Sequence, residues 1–234
     1  MTKNASLLTI LFLFSIGIRA QQLLTPSIGF SHKKTSYITL IDGTEITGSI
    51  KDIDRKKGLI EFIKIKDGAG KKHKLKPEQI KFMYLPPSGL DKYNKLTSFI
   101  YDAQKWTDQK LDQDFLNKGY VYFELADVKI KKKNRQFLMQ LLNPSFSKYI
   151  KVYDDPLAKE TMSFGVGSFD LIGGNAKSYY VSKGGSPAFR LKKKNCKKEF
   201  IPLWNSCDEV INGFPNQKWN DLVMHIITFS ECKR

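Results

Sequence analysis

The run from Ser36 to Asp54, SYITLIDGTEITGSIKDID, constrains the fold of this chain more than any other stretch. Apolar residues alternate with their neighbours on both sides of Asp42-Gly43. Asp-Gly between two alternating segments is one of the strongest short-range signals for a β-hairpin, because both central positions of the turn favour residues that tolerate positive φ. We therefore predict that a hairpin opens a small β domain here.

Further strand signals continue up to Pro87. The segments 58–66, 71–76 and 80–85 each alternate or form short apolar runs, and Asp67-Gly68-Ala69-Gly70 marks a second turn between the first two. Several short strands at this spacing are typical of a small, strongly bent barrel. The range 36–87 is accordingly predicted to form one β domain.

The hairpin also resembles a family pattern, which reads Ile38-x-Leu40-x-Asp42-Gly43-x-x-Ile46-x-Gly48-x-Ile50-x-x-Ile53-Asp54. It is similar to the first motif of Sm-like proteins, and the resemblance implies an SH3-like barrel over 36–87. RNA-binding members carry an Asn soon after the final Asp and an Arg-Gly pair in a second motif. Here Arg55-Lys56-Lys57-Gly58 follows, and the segment 80–85 has no Arg-Gly. The resemblance thus implies the barrel without its usual RNA site.

Beyond the barrel, the sequence predicts a helical connector and a second β unit. From Ser88 apolar residues recur with a helical period, with Ser88 as the N-cap, so 88–118 is predicted to be helical. Residues 119–234 then return to strands and end in helices. The strand signals are YVYFELADVKI, RQFLMQLLN, YIKVY, MSFGVGSFDLI, KSYYVS and AFRLK. Their spacing favours an antiparallel sheet or sandwich.

The tail from Cys196 is predicted to be helical. Pro202 should end or kink its first piece, because proline removes a helical hydrogen bond, and an amphipathic run begins near Trp219. The predicted fold class is therefore mainly β, of the α+β type. It combines an N-terminal Sm/SH3-like small barrel, a helical connector, and a second antiparallel β unit with C-terminal helices.

The N-terminal residues are typical of a signal peptide. Lys3 supplies a positive charge, the segment 7–18 is apolar, and Ala20 ends the run before two glutamines. The apolar run is shorter than a membrane span requires. We predict that residues 1–20 are cleaved and that 21–35 form a flexible mature N-terminus. An uncleaved N-terminal anchor is the alternative.

Three longer phrases resemble a family of secreted proteins of the Bacteroidota type. They are IKFMYLPPSGLDK at 80–92, FLMQLLNPSFSKYIKVYDDP at 137–156, and SYYVSKGGSPAFRLKKK at 178–194, the last followed by a Cys and KKEF. The resemblance implies an exported protein, periplasmic or outer-membrane-associated after signal cleavage. It implies no particular chemistry.

No catalytic, cofactor-binding or metal-ligating set can be assigned from the sequence. The histidines His32, His73 and His225 lie in separate segments without ligand spacing. Gly-x-Ser-x-Gly and phosphate-loop motifs do not occur. Asp154-Asp155-Pro156 could supply cation ligands but is more typical of a turn, and neither Glu160 nor Asp170 has an identifiable carboxylate partner.

The formal net charge of the chain is +16. If the protein binds a partner through this charge, we expect the partner to be anionic. Of 39 basic residues only five are Arg, and Lys is the weaker residue for bidentate recognition. The basic stretches are 71–76, 129–135 and 192–198. Tyr179, Tyr180 and Phe189 are near the last of them, and aromatic residues among cations can form a stacking groove for single strands. On alternating strands the same residues follow simply from apolar and polar faces.

The leading hypothesis is a non-enzymatic exported envelope protein that acts as a binding or assembly module. Its partner is unknown, with an envelope protein or an anionic glycan or lipid surface as the candidate classes. The first alternative is an Sm-like nucleic-acid-binding protein, although export makes nucleic acid an unfavoured partner. The second is a hydrolase with an unrecognised site.

The cysteines Cys196, Cys207 and Cys232 all lie near the C-terminus. An exported chain meets oxidising conditions, and three thiols allow one internal bridge. A helix of about fifteen residues spans about 22 Å, so the loop at 212–215 must fold back if Cys207 and Cys232 are to meet. The Gly and Pro of that loop permit this reversal. We therefore predict a Cys207–Cys232 disulfide with Cys196 free.

Overall fold

Two antiparallel sheets and a group of C-terminal helices make up the protein in a computed structural model, which describes residues 23–89, 111–158 and 176–233. The predicted signal peptide, most of the predicted connector and the predicted strand at 162–172 lie outside the described residues. The predicted mainly β, α+β fold class is confirmed.

The larger sheet has seven strands in the order β4-β3-β2-β1-β5-β6-β7. Their bounds are β1 Thr35–Leu40, β2 Glu45–Lys56, β3 Leu59–Asp67, β4 Lys72–Leu75, β5 Ile80–Leu85, β6 Val121–Ile130 and β7 Lys133–Gln140. The smaller sheet has the order β10-β9-β8 and consists of β8 Ile150–Tyr153, β9 Ser178–Lys183 and β10 Phe189–Lys192.

The hairpin predicted at Asp42-Gly43 joins β1 to β2. Gly43 has φ +88°, and the Asp42 side chain accepts a hydrogen bond from the Thr44 amide at 2.8 Å. Strand pairing places Ile38 opposite Ile46, so apolar residues of both strands share one face. The turn residues and the alternation thus set the register, as expected for this turn type.

One apolar row crosses the larger sheet from β2 to β6. Ile46, Ile38, Met83 and Phe123 are successive cross-strand partners, and all four are buried. The next partner, on β7, is Gln140, which is also buried. A polar amide therefore ends a row that is otherwise part of the hydrophobic core.

The sheet bends so that β7 approaches β3 around this core. Strands β1 to β5, the range of the predicted barrel, occupy consecutive positions, and β5 continues the sheet by pairing with β6. Closure of 36–87 into a separate small barrel stays a prediction, as does the domain boundary that we placed after Pro87.

The helices described are α1 Gln113–Asn117, α2 Cys196–Trp204, α3 Asp208–Gly213 and α4 Leu222–Cys232. The last three pack on the smaller sheet around Trp204 and Phe200, which are almost fully buried. Each such aromatic side chain contributes about 2 kcal/mol or more through burial. Helix α2 continues two residues beyond Pro202, the residue that we expected to end or kink it.

The segment before β1 has little regular structure but specific contacts. The Leu24 amide donates to the Leu142 carbonyl at 2.7 Å, and the Ser31 amide donates to the Pro86 carbonyl at 2.9 Å. Residues 23–34 therefore lie along the end of β7 and beside β5, a placement that the sequence pattern did not predict.

The two sheets are joined through the chain that links β7 to β8. Asn143 is fully buried there; its Nδ2 donates to the carbonyls of Phe146 and Ile150, and its Oδ1 accepts from the Val152 amide. The Asn143 side chain thus bonds through both its nitrogen and its oxygen, and these three hydrogen bonds hold the turn between β7 and β8 in one conformation. The entry into β8, and hence Asp154 just after it, is held in place by this residue.

Candidate functional site

A cleft lies where the bent sheet brings the β2–β3 turn close to the end of β7. Its cavity volume is about 90 Å³. Its apolar walls are formed by Pro26, Ile28, Leu59, Phe123, Leu138, Met139 and Pro156. Ile28 is 64% exposed and marks the rim. The polar lining comes from Ser27, Arg55, Gln140 and Asp154.

The β2–β3 turn is pressed against the chain after β8 at Gly58. Gly58 has φ +78°, and a Cβ at this position would lie 2.6 Å from the Cβ of Pro156. Only glycine satisfies both the left-handed backbone and this close approach. The contact holds the β2 end, with Arg55, against the segment that carries Asp154.

Arg55 is a half-buried residue of the cleft. Its Nη1 donates to the Gly58 carbonyl at 3.2 Å, while its Nη2 is buried and has no hydrogen-bond partner among the described residues. Burial lowers the pKa of the guanidinium, and the nearby Asp154 carboxylate partly offsets this effect. An arginine keeps its charge under such conditions, so the cleft presents a charged donor.

Gln140 supplies a second donor. The side chain is 4% exposed, and its Oε1 accepts a hydrogen bond from the Ser27 amide at 3.1 Å. That bond fixes which end of the amide is the oxygen. Its Nε2 is buried and, within the described part of the chain, has no acceptor.

Asp155 can be compared with its neighbour Asp154, because each of the two aspartates lies near an arginine. It is 1% exposed and accepts from Arg190 Nε, from Ser178 Oγ at 2.6 Å and from the Leu157 amide at 3.1 Å. The Ala158 amide closes the turn by donating to the Asp155 carbonyl. This carboxylate accepts from three donors and has a structural role in a turn that runs from Asp155 to Ala158.

Glu124 forms another satisfied polar group, between the two sheets. Both of its carboxylate oxygens lie 2.8 Å from Lys151 Nζ, and the Tyr153 hydroxyl donates to it at 2.7 Å. Burial, together with the Glu124 charge, raises the pKa of Tyr153. The cluster joins β6 to β8.

The histidines do not come together. His32 Nδ1 lies 3.0 Å from the Ile50 carbonyl, and His73 Nε2 lies 2.8 Å from Asp67 Oδ2. His225 is fully buried in α4, where its ring packs edge-on against Phe214 and Phe200 at 4.5 and 5.2 Å between centroids. Burial lowers the pKa of His225 to about 4.

Cys207 and Cys232 lie at disulfide-bonding distance, with their Cα atoms 5.8 Å apart, and Cys196 is a free, buried thiol. The chain reverses between them through α3, a short helix within the tail that was predicted to be helical. Glu209 contacts both sulfur atoms, so the three side chains could hold a metal ion only when the cysteines are reduced.

The aromatic residues considered for a nucleic-acid groove are mostly buried. Tyr179 and Tyr180 are 5% and 6% exposed, and Tyr179 stacks on Trp219 at 5.8 Å. Their faces are therefore occupied by the protein's own core. The basic stretch 192–198 begins at the end of β10 and continues into α2.

Only weak signals in the sequence pointed to the cleft. Arg55 stood out only because arginine is scarce, and Asp154 only as part of a turn, while Gln140 lay inside an apolar run. Long-range pairing brings these three together. Comparison of the chain with protein-family models, with curated proteins and with solved structures finds no match. None of the described helices is long and apolar enough to span a membrane.

Proposed function

We propose that this protein is an exported, non-enzymatic envelope protein that acts as a binding or assembly module, with the cleft between the β2–β3 turn and β7 as its binding site. The observation that carries the proposal is the pair of buried donors, Arg55 Nη2 and Gln140 Nε2, in one apolar cleft. A buried donor without a partner costs free energy that a bound acceptor would recover.

The chemistry of the cleft favours binding over catalysis. A guanidinium and a primary amide donate hydrogen bonds but neither attacks a substrate nor exchanges protons near neutral pH. Among the described residues of the lining, Asp154 is the one carboxylate, and it interacts with Arg55. General acid–base hydrolysis commonly uses two titratable groups with separated roles.

The predicted signal peptide and the disulfide-distance cysteine pair support export to an oxidising compartment. Cell fractionation with mass measurement of the chain tests this part. We expect a periplasmic or membrane-associated protein that begins near Gln21. A cytosolic protein with an intact N-terminus would contradict it and would revive the nucleic-acid alternative.

Capture of partners from solubilised membranes tests the role of the cleft. The matched pair of variants is Arg55→Met, in the cleft, and Arg135→Met, an exposed position on β7 with the same change of charge. We expect a partner that wild type and Arg135→Met retain and that Arg55→Met loses. Equal retention by all three chains would remove the cleft from the proposal.

A further inference from the structure

We infer that the cleft binds a monoanionic carboxylate attached to a short apolar group, with Arg55 Nη2 and Gln140 Nε2 as its donors. This inference rests on the proposed binding role of the cleft and names the chemical class of its ligand. Two sources share this chemistry: a free short-chain aliphatic acid and the C-terminal residue of a peptide.

The first argument is the contrast between the two Asp–Arg neighbours. Around Asp155 every donor converges on the carboxylate, and Arg190 supplies one of them. Around Asp154, the guanidinium of Arg55 keeps a buried Nη2 without a described partner, and on β7 the amide of Gln140 keeps a buried Nε2 without one. The arginine beside Asp155 therefore donates to that carboxylate, whereas the arginine beside Asp154 keeps a buried donor without a described partner.

The second argument concerns which acceptors would satisfy the two buried donors, Arg55 Nη2 and Gln140 Nε2. One charged and one neutral donor call for two acceptor oxygens of negative character, which a carboxylate presents in one plane. The Ser27 amide already occupies Gln140 Oε1, so the amide cannot turn its oxygen toward the ligand without losing that bond. The ligand must therefore accept from Gln140.

The third argument concerns charge and size. Asp154 lies near Arg55, and its negative charge disfavours a dianion such as phosphate while a single negative charge is still balanced by the guanidinium. Phe123, Leu138 and Met139 supply the apolar wall. A cavity of about 90 Å³ accommodates a carboxylate with a few carbon atoms, and larger parts would pass the rim at Ile28.

The test is a titration of the purified, isotope-labelled full chain, followed by the NMR signals of the Gln140 side-chain amide and the Arg55 guanidinium. The probes are isobutyrate, isobutyramide, inorganic phosphate, and an acetylated alanyl-valine with a free or an amidated C-terminus. We expect isobutyrate and the free-acid peptide to shift both side-chain signals. The neutral amides should bind at least about tenfold more weakly, the usual consequence of losing one charge-assisted hydrogen bond. Dianionic phosphate should also bind at least about tenfold more weakly, because the Asp154 carboxylate repels its second negative charge.

Three variants complete the test, and the melting temperature of each checks that it folds. Gln140→Glu keeps the oxygen that accepts from Ser27 but replaces the donor by an acidic oxygen, so carboxylate binding should be lost. Arg55→Met should weaken binding by about tenfold or more. Arg135→Met should leave binding within about twofold of wild type, because this exposed residue contributes only screened, long-range attraction.

The outcomes separate the two possible sources and the two proposals. Tighter binding of the free-acid peptide assigns the site to chain ends, and tighter binding of isobutyrate assigns it to small acids. Equal binding of acid and amide forms, or carboxylate binding that survives Gln140→Glu in a folded variant, would overturn the inference. If membrane capture still depended on Arg55 in that case, the proposed binding role would stand and only the ligand class would be wrong.

Discussion

Replacing His225 by leucine should remove a large part of the acid sensitivity of this protein. The imidazole is fully buried, and neither ring nitrogen has a hydrogen-bond partner among the described residues. Phe200, Trp204 and Phe214 surround it edge-on. A protonated ring would place a charge in this apolar environment, which is why its pKa falls from 6.5 to about 4.

The sign and size of the effect follow from proton linkage. Between pH 6.5 and about 4 the unfolded chain binds a proton at this histidine and the folded chain does not. The stabilisation is complete above the unfolded pKa and is lost as the pH falls through this window. At 1.36 kcal/mol per pH unit the full loss is about 3 kcal/mol, of which about 2.5 kcal/mol is lost by pH 4.5.

Urea unfolding of the wild type, His225→Leu and His32→Gln at pH 7 and pH 4.5 measures this effect. His32 is a partly exposed histidine and serves as the control. Between the two pH values the free energy of unfolding of the wild type and of His32→Gln should fall by about 2.5 kcal/mol more than that of His225→Leu. Equal losses in all three proteins would show that His225 is not held neutral by its surroundings.

Three further perturbations test the fold. Gly58→Ala should reduce the free energy of unfolding by about 2 kcal/mol more than Gly43→Ala. Both positions have positive φ, but only Gly58 lies against Pro156. Equal urea midpoints for the two variants would contradict this contact. Gly43→Val should lower the melting temperature further than Gly43→Ala, since a β-branched residue resists positive φ, and an unchanged melting curve would show that the turn is misassigned. Cys207→Ser should cost about 3 kcal/mol in denaturant unfolding, because the bridge to Cys232 closes a sequence separation of 25; non-reducing peptide maps that pair Cys196 instead would refute the assignment.

Local patterns in the sequence predicted the local elements of this fold. Alternation and turn residues indicated the hairpin at Asp42-Gly43 and the described strands, because both signals are short-range properties of the chain. The pairing of β5 with β6 did not follow, since periodicity does not say which strands become neighbours. The tail from Cys196 was predicted to be helical, but α3 was not predicted as a separate helix, because six residues are too few to show a helical period of their own.

The candidate site was largely beyond the reach of the sequence. Arg55 and Gln140 belong to distant strands, and only the bend of the sheet places both in one cleft. The packing of the segment around Ser27 likewise depends on its hydrogen bond to Gln140 at the buried end of β7 and not on its own pattern. The Cys207–Cys232 pairing was accessible, because a fold-back between two helices is a short-range geometric constraint.

The central claim is that this protein is an exported module that binds its ligand through Arg55. The most direct test is to recover the protein from each subcellular fraction of its own cells and measure its mass by native mass spectrometry. We predict a periplasmic or membrane-associated chain that begins near Gln21 and carries a bound adduct with a free carboxylate, either a small acid or a peptide. Arg135→Met should retain the adduct, and Arg55→Met should lose it. An uncleaved cytosolic chain, or an adduct that is the same in both variants, would contradict the account of an exported module that binds its ligand through Arg55.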